Sequence, residues 1–203
     1  MLFKSTVNES TFQLLESLQS IEAFTKLRLV GGTALALQIG HRISVDLDLF
    51  GEVEFDSQLL MGFEKVQAIK RSESINIFEI NNVKVDIVNY PYPWLDNIIY
   101  SENIRLASLK DIAAMKIAAI TNRGSKKDFT DLYFLLNEFE FDEIITFYAQ
   151  KYSDASIYLA LKSLIYFEDA DSEPPLNMLK DASWENIKKK IKEVVTNYSV
   201  NRT

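Results

Sequence analysis

The segment that most restricts how this chain can fold is Val45-Asp-Leu-Asp-Leu-Phe50, where apolar residues alternate with aspartates. Alternation of period two marks a strand with unlike faces, because successive side chains leave opposite sides of the pleat. Val45, Leu47 and Leu49 are expected to enter a core, while Asp46 and Asp48 leave together on the other face. Two adjacent carboxylates repel each other unless a cation neutralises them. Hard oxygen ligands on a rigid strand suit Mg²⁺, which takes one or two carboxylates together with substrate phosphates. The plain alternative is a solvated strand face bearing two acids, since a bare Asp-x-Asp is a weak pattern.

Context narrows that choice. Leu27–Val30 is a short apolar strand running into Gly31-Gly32, and Thr33–Ile39 is a short helix closed by Gly40. Glycines there let backbone approach a ligand, and free N–H groups at a helix start favour a phosphate. The two glycines alone fit a simple turn equally well; followed by Asp-x-Asp, they place a phosphate cradle beside a metal site. A third acid fits the same geometry. In Val83-Lys-Val-Asp-Ile-Val88 the residues Val83, Val85 and Ile87 form one face, so Lys84, Asp86 and Val88 form the other. If that strand lies beside Asp46 and Asp48, three carboxylates converge. Such a set around two Mg²⁺ ions is what in-line nucleotidyl transfer needs. Taken singly, Asp86 reads equally well as an edge acid facing water.

The remaining elements follow from periodicity. Residues 9–24 carry apolar side chains at helical spacing, and 56–66 read as a helix capped by Asp56. Ile75–Ile80 and Val83–Tyr90 flank Asn81-Asn82, a pair that tolerates positive φ and predicts an antiparallel hairpin. Beyond about residue 105 the composition turns helical, with helices near 108–122, 125–138, 141–151, 154–167 and 184–198. Ser108-x-x-Asp111 and Ser125-x-x-Asp128 fit the capping-box pattern. Trp184, Ile187, Ile191 and Val195 form a core stripe, leaving Lys188–Lys190 and Lys192 as a solvated face. The expected fold is α+β: an α/β lobe over residues 1–104 with a mixed or antiparallel sheet flanked by helices, then a helical lobe over 105–203.

Composition removes whole classes of chemistry. With no cysteine among 203 residues, disulfides, Cys-ligated zinc, iron–sulfur clusters and a thiol nucleophile are excluded. One histidine, His41, rules out His-rich metal sites. Carboxylates, Lys, Arg and hydroxyls remain. The net charge, 22 − 29 = −7, argues against a general nucleic-acid-coating protein. Lys110, Arg123, Lys126 and Lys127 nevertheless form a local basic path that an RNA acceptor could use. The first residues lack the basic and apolar regions of a secretory signal, and no run approaches the roughly 18 apolar residues of a membrane span. A cytoplasmic protein without membrane association is expected.

The run Gly31-Gly-Thr-Ala-Leu35…His41-Arg-Ile-Ser-Val-Asp-Leu-Asp-Leu-Phe50 is similar to the first motif of the AbiEii/AbiGii-type nucleotidyltransferase toxins, minimal nucleotidyltransferases of the DNA polymerase β superfamily. Asp111-Ile-Ala-Ala-Met-Lys116, Arg123 and Lys127-Asp-Phe-Thr-Asp-Leu-Tyr133 resemble the family's later motifs. The likeness spans roughly residues 29–135. It implies an NTP substrate, two Mg²⁺ ions on Asp46 and Asp48 with Asp86 as third acid, and nucleotide phosphates on Gly32 and Thr33 beside Gly31. It further implies that Lys116 meets the triphosphate and that Asp128 or Asp131 supports the site. Arg42 and Ser44 match the Arg-x-Ser ahead of the acids, with phosphate contact and loop bracing as their roles. A toxin acting on tRNA and paired with a cognate antitoxin is the implied setting.

The residues themselves leave some of these roles open. Lys116 is the only charged residue between Asp111 and Arg123, so it either snorkels to water or reaches a buried anion. Asp128 completes a capping box, and Asp131 could pair with Lys127 on an exposed helix. Rival functions are transfer to a protein or small-molecule hydroxyl, including modification of a partner toxin by an antitoxin-like enzyme, and nucleotide binding without catalysis.

Overall fold

The computed structural model describes residues 1–200; the last three residues of the expected helical lobe lie outside the described part. Two compact units divide the chain. One comprises Met1–Tyr92 with Asn97–Ala107, and the other Pro93–Asp96 with Ser108 onward. The expected boundary at 104/105 falls inside a strand of the first unit, Ile104–Leu106.

The first unit is a seven-stranded mixed sheet with helices. In chain order it contains α1 (Glu9–Gln19), β1 (Arg28–Val30), α2 (Gly31–Ile39), β2 (Leu47–Gly51), β3 (Val66–Arg71), β4 (Ile75–Ile80), β5 (Val83–Asn89), β6 (Ile99–Ser101) and β7 (Ile104–Leu106). The strand order is β3-β4-β5-β2-β1-β7-β6. β2 runs parallel to β5 and antiparallel to β1, so it sits centrally between two different partners. Leu47, Leu49, Val85 and Ile87 are fully buried on one sheet face, as their alternation predicts. Helix α2 packs on β1 and β2, and ends at Gly40 in the left-handed conformation that a C-terminal glycine permits. Asn81 and Asn82, at φ 52° and 64°, make the tight turn between β4 and β5.

Two expectations fail here. Residues 56–66 are not a helix: Asp56 caps a single 3-10 turn, Ser57–Leu60, and the chain then enters β3. All six β3 residues are exposed, so this edge strand is held by backbone pairing to β4 and leaves no buried apolar period to read. The hairpin β6–β7 was equally silent, with three-residue strands and a Glu102-Asn103 turn at positive φ. It is fastened by Arg105, which donates to the carbonyls of Gln19, Phe24 and Leu27 while Gln19 pairs with the Arg105 backbone.

The second unit is helical: α3 (Leu109–Asn122), α4 (Lys126–Leu135), α5 (Phe141–Lys151), α6 (Ile157–Leu164), α7 (Glu168–Asp171) and α8 (Trp184–Val200). α3 is the central element, packing on α4, α5 and α6, while α8 closes over α4, α5 and α6. Ile187, Ile191 and Val195 are buried as their spacing predicts. The Pro93–Asp96 segment is clamped by a buried pair: Lys151 Nζ donates to Pro93 O and Asp111 Oδ1, both at 2.8 Å, and lies over the Trp94 ring. No helix among the described residues is long and apolar enough to cross a membrane.

Candidate active site

Strand register decides where the acids go. Across β2 and β5, Asp48 is paired with Asp86, so both carboxylates leave the same face from neighbouring strands about 4.8 Å apart. Asp46 lies one residue ahead of β2 and is half-buried. Val45 does not enter the core as its alternation predicted, being 54% exposed. Side-chain alternation holds only where the backbone is pleated, and residues 43–46 reach β2 as an irregular loop. That loop is fixed by other means. Ser44 N donates to Thr6 O, and the buried Thr33 hydroxyl, whose oxygen is 2.8 Å from Ser44 Oγ, donates to the Asp46 carbonyl. Arg42, also buried, donates from Nη1 to Ile43 O. Thr33, Arg42 and Ser44 thus meet as braces of the loop carrying Asp46, and His41 beside them is fully buried.

Gly31 serves the acids directly. Its φ of +69° belongs to the left-handed region, and a Cβ built on it would press against Asp48 Oδ2. Glycine is therefore required by the backbone and by the neighbouring carboxylate together. Gly32 follows at the start of α2, where backbone N–H groups lack helical partners.

One cation already stands on this face. Lys84, two residues before Asp86 on β5, places Nζ 2.7 Å from Asp86 Oδ1, a buried oxygen, in an ion pair poorly directed for a hydrogen bond. Burial would lower the Lys84 ammonium, but the pair with Asp86 and the charges of Asp48 and Asp46 raise it above the ordinary lysine value. All three acids therefore act on the same point. Among the described residues, no three acidic side chains close round a single position as metal ligands. Donor type, charge and the presence of an ammonium nonetheless fit this face to a divalent cation. A cavity of about 780 Å³ in the same unit, lined by Val53, Phe55, Arg71, Asn76 and Asn89, contains none of these acids.

The second group of expected residues assembles in the helical unit. Lys116 Nζ on α3 reaches Asp128 Oδ1 at 3.0 Å and Asp131 Oδ2 at 2.6 Å, both on α4. The two aspartates are three residues apart and so share a helix face; both are fully buried, and Lys116 nearly so. Lys116 thus reaches a buried anion rather than snorkelling, and the anion is the protein's own. Asp131 is no partner of an exposed pair. The expected capping box at Ser125 also fails: Ser125 Oγ makes no cap and donates to Asp128 Oδ2 at 2.7 Å, whereas Ser108 Oγ does accept from Asp111 N. Arg123 completes the cluster, with Nε and Nη2 at 2.8 and 3.2 Å from the Asp128 oxygens. Burial would raise the Asp128 carboxyl, but Lys116, Arg123 and Ser125 outweigh it and hold the group well below the usual carboxylate range.

Sequence reasoning missed Lys84 and Arg123 as members of these clusters. The signal for Lys84 was present in its alternation with Asp86. The basic path expected from Lys110, Arg123, Lys126 and Lys127 is largely internal: Arg123 turns back onto Asp128, Lys126 is buried with Nζ on Glu173 O, and Lys110 faces Asp96, none of which local spacing shows.

Comparison with known proteins agrees with the motifs. The sequence profile of the nucleotidyl transferase AbiEii toxin family, of type IV toxin–antitoxin systems, matches residues 13–85 and 71–202. The chain belongs to the AbiEii nucleotidyltransferase toxin family. As an AbiEii member it is a nucleotidyltransferase, and its family is one that works with an antitoxin. An uncharacterised protein of Aquifex aeolicus is 36% identical over 199 residues, covering 91% of this chain and 96% of that protein. Among solved structures, a candidate nucleotidyltransferase from H. pylori superposes with a TM-score of 0.63 at 18% identity, covering 94% of this chain and 95% of that one. MenT4, a nucleotidyltransferase toxin of Mycobacterium tuberculosis, gives 0.56 at 14% identity, covering 94% and 86%. The antibiotic-resistance factor ANT(2'')-Ia gives 0.52 at 16%, covering 75% and 96%. At such identities these structures bear on the AbiEii fold alone.

Proposed function

We propose that this enzyme transfers a nucleoside monophosphate from an NTP to an acceptor hydroxyl on RNA, a tRNA end in particular, with Mg²⁺ held by Asp46, Asp48 and Asp86. The observation that carries the reading is the register pairing Asp48 with Asp86 on adjacent strands, with Gly31 kept bare against Asp48. Bound there, the metal supplies charge neutralisation at the attacking and leaving oxygens of an in-line displacement. The chain's own residues act by position. N–H groups at Gly32 and the α2 start meet phosphate oxygens. Thr33, Arg42 and Ser44 hold the loop that aims Asp46. One of the three acids takes the proton of the attacking hydroxyl as its oxygen bonds to the α-phosphorus, and the bond to pyrophosphate breaks. Lys116, which the family resemblance assigns to the triphosphate, has its ammonium matched by Asp128 and Asp131 within the helical unit, so no transfer step is routed through it.

The proposed setting is the cytoplasm, and the type IV toxin–antitoxin description of the family supports a cognate antitoxin as partner. The test offers the protein, Mg²⁺ and each α-labelled NTP to total RNA and cell-extract protein together. Label should enter RNA and be lost in Asp48→Asn, which keeps its fold. Label on protein instead would move the acceptor class. No label with retained NTP binding would leave a binding module and defeat the proposed transfer to RNA.

A further inference from the structure

Lys84 stands where the positive charge of a metal is wanted. It shares a sheet face with Asp86, and its Nζ is 2.7 Å from an Asp86 oxygen that is itself buried. Asp48 is paired with Asp86 across the strands, and the charges of Asp48 and Asp46 reach the same ammonium.

We propose that Lys84 is a built-in counter-ion of the acid set, resting on Asp86 in the metal-free protein and displaced from it by the incoming divalent cation. The proposal depends on the metal reading given above. An ammonium and a metal ion cannot share one carboxylate oxygen at contact distance, because like charges that close repel strongly. The lysine is free to yield. Its side chain is 44% exposed, its pairing with Asp86 is poorly directed, and its flexible stem lets the head move into water without disturbing β5. Asp86, only 17% exposed, stays in place. Lys84 therefore sets how tightly the site takes a metal, holds the carboxylates together until one arrives, and is a positioning residue acting through Asp86.

The experiment measures Mn²⁺ binding to the full chain without nucleotide, by electron paramagnetic resonance of the free ion, for wild type, Lys84→Gln, Lys84→Arg and Asp48→Asn. Removing a unit charge beside the site should tighten Mn²⁺ about tenfold in Lys84→Gln. Lys84→Arg should stay near wild type, and the metal-free Lys84→Gln protein should melt lower at low salt, a deficit that saturating Mn²⁺ erases. Circular dichroism of each variant establishes that the fold is kept. Equal or weaker Mn²⁺ binding by Lys84→Gln, with binding still lost in Asp48→Asn, overturns the role of Lys84 alone. Mn²⁺ binding indifferent to Asp48→Asn overturns the metal reading, and the counter-ion with it.

Discussion

The acid face of the sheet and the acid cluster of the helical unit use the same residue types to opposite ends. On the sheet, Asp86 meets the exposed Lys84, and Asp46, Asp48 and Asp86 are all only half-buried. In the helices, Asp128 and Asp131 meet Lys116 and Arg123, so −2 + 2 = 0, and both carboxylates are fully buried. Charge can be left unbalanced where water and ions have access, because solvent screens it. Inside a protein it must be matched by neighbours or the group neutralises. The open cluster thus stays within reach of a cation from solution, and the closed one joins α3 to α4. What the two teach together is that an aspartate is read by its neighbours' charge and burial more than by its motif.

That contrast is broken most severely by removing the helical cation. Lys116→Met leaves Asp131 buried without its ammonium and deprives Asp128 of one of three partners, which should cost about 3–5 kcal/mol of unfolding free energy. Urea denaturation followed by circular dichroism measures it, and Lys116→Met/Asp131→Asn should recover part of the loss. A cost near zero would place the cluster in the same class as the open face. Acid unfolding tests the same point. The Asp128 carboxyl is depressed in the folded state, so its stabilisation is complete above the unfolded value of about 3.9 and is lost as pH falls below it. Wild type should shed about 2–3 kcal/mol more than Asp128→Asn between pH 5 and acid, in stability profiles against pH.

The open face is sharpened by a smaller perturbation. Gly31→Ala should cost about 1–2 kcal/mol, the penalty of a left-handed non-glycine residue, and its methyl should push the Asp48 carboxylate aside. Transfer activity should fall far more than stability does. Equal losses in both would mean Gly31 serves only the turn.

How much of this was legible depends on whether a signal is local. The β4–β5 hairpin, the face shared by Lys84 and Asp86, the Gly40 cap and the α5 limits could be read because alternation and turn chemistry sit within a few residues. The pairing of β2 with β5 could be posed only as a condition, since thirty-odd residues of sequence carry no register. β3 escaped because an exposed edge strand has no buried period. Val45 misled because the alternation began two residues before the strand did. Lys116 was recognised as a lysine bound for an anion, but its partners come from the next helix, and helix-to-helix packing is invisible to spacing along one of them.

The smallest effect expected is the most discriminating about the closed cluster. Arg123 makes two bonds to Asp128, yet its side chain is 59% exposed, so solvent screens the pair and Arg123→Ala should cost less than about 1 kcal/mol. Lys116 and Ser125 still hold both Asp128 oxygens in that variant. Its acid limb should nevertheless move to higher pH, because the guanidinium is one of the groups keeping the carboxyl depressed. Urea midpoints at pH 7 and pH 2 separate the two effects: the cost of Arg123→Ala is greatest at neutral pH, where Asp128 is ionised, and shrinks in acid as Asp128 takes up its proton. Should Arg123→Ala instead cost as much as Lys116→Met at pH 7, the charge balance of the helical cluster would be held at its solvent edge. The division between an open site on the sheet and a closed one in the helices would then be one of degree.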